Sequence, residues 1–164
     1  MTMSTSLLQE FDQEMTITRR VIERLPEDKY DWAPHEKSMK AGRLASHIAD
    51  MISWVPMCIT QDSLDLAAGS EPFCAASRTE LLAAFDKNVA DARQAIEGTS
   101  DETLLKPWSL LSGEQTLLTV PKIVVIGTGI PNHIIHHRGQ LSVYLRLTDT
   151  PVPSIYGPSA DEGV

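Results

Sequence analysis

Five histidines carry most of the chemistry this sequence offers: His35, His47, His133, His136 and His137. His133 and His137 stand four apart, which on a helix puts two imidazoles on one face, one turn apart. Two imidazoles so placed can bind one metal ion. The spacing alone is common, and its position is more informative. Both residues fall on an apolar stripe that begins with Ile123, Ile126 and Ile130 and continues to Leu141, so both are expected to point inward. Buried imidazoles need polar partners, and a shared ion satisfies two at once. His47 lies between Leu44 and Met51 at steps of three and four, which aims it at the core from another helix. Three inward histidines can hold one divalent ion and leave positions open for water or substrate, the pattern of catalytic rather than closed structural sites. The competing reading for each is a hydrogen-bonded core histidine. His35 reads as surface. His136 is one step off the stripe and reads as a surface residue or a support for the ligands.

The elements that must position these residues are helices. Leu8, Phe11, Met15, Thr18, Ile22 and Leu25 mark the first, with Ser6 and Gln9 as a capping box and Pro26 as its end. A loop over 26–38 follows. The second helix is expected over about 39–60, with Leu44, Ile48, Met51, Val55 and Ile59 inward and Pro56 as a kink. The third opens on the capping box of Ser77 and Glu80, buries Leu82, Phe85, Val89, Ala92 and Ile96, and stops at Gly98. Residues 99–120 stay open: a short helical turn at 100–105, and a stretch at 108–118 that can be extended with Gly113 as its turn. The fourth helix reaches about Leu147. It begins either near Pro131 or, kinked, at Ile123, and the upstream apolar period favours the longer form. Pro151, Pro153 and Pro158 keep the tail non-helical. The expectation is an all-α fold, an up-and-down-type four-helix bundle, with 1–164 as a single domain. Glu10, Glu14 and Glu23 on the first helix read as solvated.

Composition narrows the function classes. The chain has 164 residues and a net charge of -8, with no basic run to track phosphates, so nucleic acid is not the expected partner. No apolar run reaches membrane-spanning length. The N-terminus shows no basic start followed by an apolar stretch, and a cytoplasmic location is expected. Cys58 and Cys74 form neither a metal spacing nor a disulfide framework and read as free thiols.

The run His133-Ile134-Ile135-His136-His137-Arg138-Gly139-Gln140-Leu141, preceded by Pro131-Asn132, resembles the fourth-helix signature of the DinB/YfiT-like family of damage-inducible helical bundles. The stretch from Trp32 to Trp54, with Trp-x-Pro ahead of a helix and His47 within it, resembles that family's second-helix region. The tail from Val152 to Glu162 is similar to the end of many members. The resemblance implies a four-helix bundle, often dimeric, with a metal held by His47, His133 and His137. Zinc or nickel is the metal implied first, then iron or manganese. Better-understood relatives are metal-dependent transferases or isomerases that use low-molecular-weight thiols.

Two functions are therefore expected. The first is a metal-dependent small-molecule enzyme, a thiol-dependent S-transferase or related catalyst, with a low-molecular-weight thiol among its substrates and a homodimer as its assembly. The second is a non-enzymatic, metal-stabilised bundle acting in a stress response or as a dimeric binding module. An open cavity beside the ion favours the first; a fourth protein ligand favours the second.

Overall fold

The computed structural model describes residues 2–69 and 71–163. Four helices build the core: α1 (Met3–Ile22), α2 (Ala41–Met51), α4 (Arg78–Glu97) and α7 (Ile130–Leu147). Each of α1 and α2 packs on both α4 and α7, so the order around the core is α1, α4, α2, α7. The first two helices thus stand across a diagonal. The connection 23–40 makes that crossing. Trp32 meets the Tyr144 ring edge-on at 5.4 Å, and the Tyr144 hydroxyl donates to Met39 O at 3.2 Å.

The helix ends follow local chemistry. Thr2, and not Ser6, caps α1, its hydroxyl accepting from Thr5 N at 3.2 Å. Ser77 caps α4 through Glu80 N at 3.1 Å, while the Glu80 carboxylate reaches back to Ala76 N at 2.8 Å. Gly98 ends α4 as expected, in an ordinary right-handed conformation, φ −82°. The inner stripe of α4 also starts one residue earlier than expected, with Leu81 buried and Leu82 only half-buried.

The expected second helix is broken into α2 and α3 (Trp54–Thr60). Pro56 accounts for the position of the break. It has no N–H for the Ile52 carbonyl, and its ring crowds that carbonyl. Val55 N takes it instead at 3.1 Å, closing a tighter turn at 52–53.

The chain is mostly helical but not purely so, which corrects the all-α expectation. A three-stranded sheet runs in the order β1 (Ser63–Asp65), β2 (Pro107–Ser112), β3 (Gln115–Pro121). β1 pairs parallel to β2, and β2 pairs antiparallel to β3 with Ser112 opposite Gln115. Gly113 takes φ +59° at the first position of this two-residue turn, a conformation that favours glycine. A short helix α5 (Asp101–Leu104) precedes the hairpin, capped by Ser100 through Thr103 N at 3.1 Å.

From β3 the chain runs into α6 (Lys122–Val124), a π-helical turn over Val125–Gly129, and α7 without a gap. The longer form of the fourth helix is therefore the observed one, and the distortion is a widened turn closed by Ile130 N on Val125 O. Lys122 fixes the start. It is 2% exposed, and its ammonium donates to Ile59 O at 3.0 Å and Gln61 O at 2.8 Å and pairs with Asp62 at 2.9 Å. These are the unsatisfied carbonyls at the end of α3, where a cation is favoured.

Gly42 in α2 is a point of close approach. A Cβ there would sit 2.9 Å from three atoms of the Tyr30 side chain, and Gly42 N already donates to Tyr30 O at 3.0 Å. Overpacking of this kind costs about 1–3 kcal/mol, while alanine returns up to ~1 kcal/mol of helix propensity. Gly42→Ala is expected to lose roughly 1–2 kcal/mol net in urea unfolding. Stability equal to wild type would show that Tyr30 moves aside freely.

Candidate metal centre

His47 comes from α2 and His133 and His137 from α7, two helices packed face to face. The three sequence-expected residues do converge. One ring nitrogen from each lies within 4.8 Å of the others. His133 Nε2 stands 2.7 Å from His137 Nε2, and the His47 ring lies 5.4 Å from that of His133 and 4.9 Å from that of His137. The π-helical turn ahead of His133 does not carry it away from the cluster.

Burial differs across the cluster. His137 is 7% exposed, His47 is half-buried, and His133 sits at the open edge. The expectation that both α7 histidines are buried therefore holds for His137 alone. His136 is exposed and meets the His137 ring edge-on, with ring centroids 5.0 Å apart. His35 is exposed and does not join the cluster; its Nδ1 accepts from Lys37 N.

The donor set fits a divalent metal. One tetrahedral zinc holds imidazole nitrogens ~3.3 Å apart, given Zn–N distances of about 2.0–2.1 Å; the 2.7 Å pair needs only a few tenths of an ångström of opening. Gln140 Oε1 lies 2.8 Å from His137 Nδ1. An amide oxygen accepts only, so Nδ1 carries the proton and the Nε2 lone pair faces the cluster. Sequence reasoning did not assign Gln140 this role, although its place three residues after His137 is the signal for it. Among the described residues no carboxylate or thiolate joins the group.

Electrostatics favour the neutral, ligating form. Burial, then the neighbouring His137 and His133 and the Arg43 charge, lower the His47 pKa to about 4. Burial, then His137 and His136, also lower His133, whose Nε2 end faces inward. An imidazole with a depressed native pKa binds fewer protons folded than unfolded between the ordinary 6.5 and about 4. Metal-free protein should therefore keep this contribution above pH 6.5 and lose it as pH falls through that window. Thermal unfolding in chelator from pH 7.5 to 4.5 checks this. His47→Gln should flatten the slope, and parallel wild-type and variant curves would refute the assignment.

An apolar cavity of about 300 Å³ adjoins the cluster, with His133 on its wall. Trp54 lines it, as does Trp108 from β2. The free cysteines take no part: Cys58 is buried, its thiol pushed up to about 11 by burial, and Cys74 is exposed.

A second polar cluster lies behind His137. Arg138 is 1% exposed and Glu14 is 7% exposed, with Arg138 Nη1 2.7 Å from Glu14 Oε2. Glu14 is thus not solvated, and Arg138 faces the core. The Tyr156 hydroxyl accepts from Arg138 Nη2 at 2.6 Å and donates to Glu14 Oε2 at 2.8 Å.

Fold and site together define a helical bundle with a three-histidine group that can hold a metal ion. The sequence profile of the DinB family matches residues 1–163, and the chain belongs to that family. An uncharacterized Bacillus subtilis (strain 168) protein, YrdA, is 23% identical over 164 residues, covering 94% of this chain and 89% of the relative. A DinB-like protein from Bacillus cereus ATCC 10987 superposes with a TM-score of 0.72 at 19% identity, covering 92% of this chain and 95% of that one. The DinB-like protein YjoA from Bacillus subtilis gives 0.71 at 21% identity, covering 92% and 97%. At these identities the structures speak for the fold.

Proposed function

We propose that this chain is a metal-dependent small-molecule enzyme, a thiol-dependent S-transferase or related catalyst, working as a cytoplasmic homodimer. The observation that carries it is the convergence of three imidazoles, one at an open edge, beside an apolar cavity. His47, His133 and His137 would hold the ion, with zinc or nickel as the first candidates. Such an ion lowers the pKa of a coordinated thiol or water and provides a nucleophile at neutral pH. The protein's own part is positional. Gln140 holds the His137 tautomer, the buried Arg138–Glu14 pair fixes the back of α7, and the apolar wall keeps water from a bound substrate. No fourth histidine, cysteine or carboxylate joins the three histidines among the described residues, which favours an open site over a closed structural one.

The test begins with the metal content of untagged protein, wild type against His47→Ala. About one ion per chain, lost in the variant, supports the site; a screen of low-molecular-weight thiols with electrophilic acceptors then follows. Folded wild type that takes up neither zinc nor nickel would overturn the metalloenzyme reading. A loaded protein that turns over no thiol, and gains thermal stability from the ion alone, would leave a metal-stabilised bundle.

A further inference from the structure

The cavity beside His133 has three walls. It is walled by α2 and α3 on one side, the β2–β3 hairpin on another, and the π-helical turn with the start of α7 on the third. Its volume of about 300 Å³ falls at the lower end of the range for small-molecule sites. The lining is almost entirely apolar, and His133 supplies the one ionisable side chain among the described residues there.

Three features favour a ligand over a packing defect. The π-helical turn, whose Val125 and Gly129 line the cavity, is a rare backbone form that concentrates at functional sites. Gly129 leaves room: a Cβ there would meet nothing closer than Val124 O at 3.8 Å. Leu118 and Val124 also line the cavity while remaining 46% and 43% exposed, so its mouth is apolar as well as its wall.

We propose that this cavity binds an uncharged, largely apolar small molecule, an aromatic one by preference, with its polar end at His133. A charged group would lose its hydration here without a partner, because among the described residues no carboxylate, ammonium or guanidinium lines the wall. Trp54 and Trp108 offer flat apolar surfaces to a ring. The proposal names the second substrate of the proposed transferase and rests on that reading for its chemistry. Binding itself requires no metal.

The experiment uses chelator-treated full-length protein and equilibrium dialysis with two probes of the same shape, naphthalene-2-methanol and 2-naphthoate. Saturable binding of one neutral probe per chain is expected, with the anion at least about tenfold weaker, since each tenfold is only ~1.4 kcal/mol and an unpaired buried charge forfeits more. Gly129→Leu should fill the cavity and weaken the neutral probe about tenfold or more with the helical circular-dichroism spectrum retained. Leu118→Glu, at a position already exposed, puts a charge on the mouth and should also weaken it. Absence of saturable binding to wild type, equal affinity for the anion, or two folded variants that bind like wild type would each overturn the proposal. Metal uptake measured on the same wild-type preparation keeps the two readings apart. Neutral-probe binding without uptake removes the metalloenzyme and keeps the cavity; uptake without probe binding does the reverse.

Discussion

His137→Ala is expected to abolish stoichiometric metal binding while leaving the metal-free bundle folded. His137 is the most buried of the three imidazoles and the one whose tautomer is fixed, by Gln140 at 2.8 Å. Losing a partner such as Gln140 typically costs 10–100-fold in metal affinity, so Gln140→Leu sets the smaller reference effect. Removing the ligand itself should exceed that, leaving less than about one hundredth of the wild-type affinity. The fold should survive because the substitution removes a desolvated imidazole whose neighbours are other imidazoles and an exposed amide. An ion at 100 times its dissociation constant stabilises the native state by about 2.7 kcal/mol. In a chain of this size that is a rise in Tm of ~5–10 °C. Wild type should show that rise with zinc or nickel, and His137→Ala should show none. A variant that keeps its metal after dialysis, or keeps the full rise, would remove His137 from the site.

The same stripe arithmetic that found the histidines explains what was missed. His47 was legible because it lies three after Leu44 and four before Met51. Glu14 lies three after Phe11 and four before Thr18, both buried, so an inward carboxylate was signalled equally well; charge type alone argued for solvent. Arg138 follows Ile134 by four and precedes Leu141 by three, again both buried. The inner face of α7 is wide enough to carry His137 and Arg138 side by side, and a narrow stripe hides the second. The hairpin was harder. β3 is exposed along nearly its whole length, so it lacks the alternation that marks a half-buried strand, and β1 is only three residues long. Gly127 and Gly129 lie where the backbone widens into a π-turn and the helix continues. Gly127 packs there against α1, where a Cβ would come within 2.9 Å of Leu7 Cδ2.

The second large effect is expected at that buried pair. Arg138 Nη1 is 2.7 Å from Glu14 Oε2 and 3.1 Å from Thr18 Oγ1, and the Tyr156 ring lies 5.0 Å from the guanidinium carbon. The network joins α1, α7 and the C-terminal tail. That tail is held again where Glu162 pairs with Arg20 and Arg24. A buried ion pair is weak evidence of net stability, since desolvation of both charges offsets their attraction. Breaking it from one side is different, because the remaining charge has nowhere to go. Glu14→Ala should therefore cost about 3–5 kcal/mol, a fall in Tm of roughly 6–20 °C. Tyr156→Phe should cost only about 1 kcal/mol, because Tyr156 is 63% exposed and its ring stays in place over Arg138. The combination Glu14→Leu with Arg138→Met removes both charges and should recover most of the Glu14→Ala loss, since apolar replacements of buried pairs are often neutral. A double-mutant cycle on thermal or urea unfolding measures the coupling. Because Arg138 follows His137 directly, the recovered double variant also separates two roles. Restored stability with weakened metal binding would mark the pair as a positioning device for the ligand, and restoration of both would make it a structural clasp between helix and tail. A Glu14→Ala loss below about 1 kcal/mol would mean that water reaches Arg138 and that its burial is not maintained in solution.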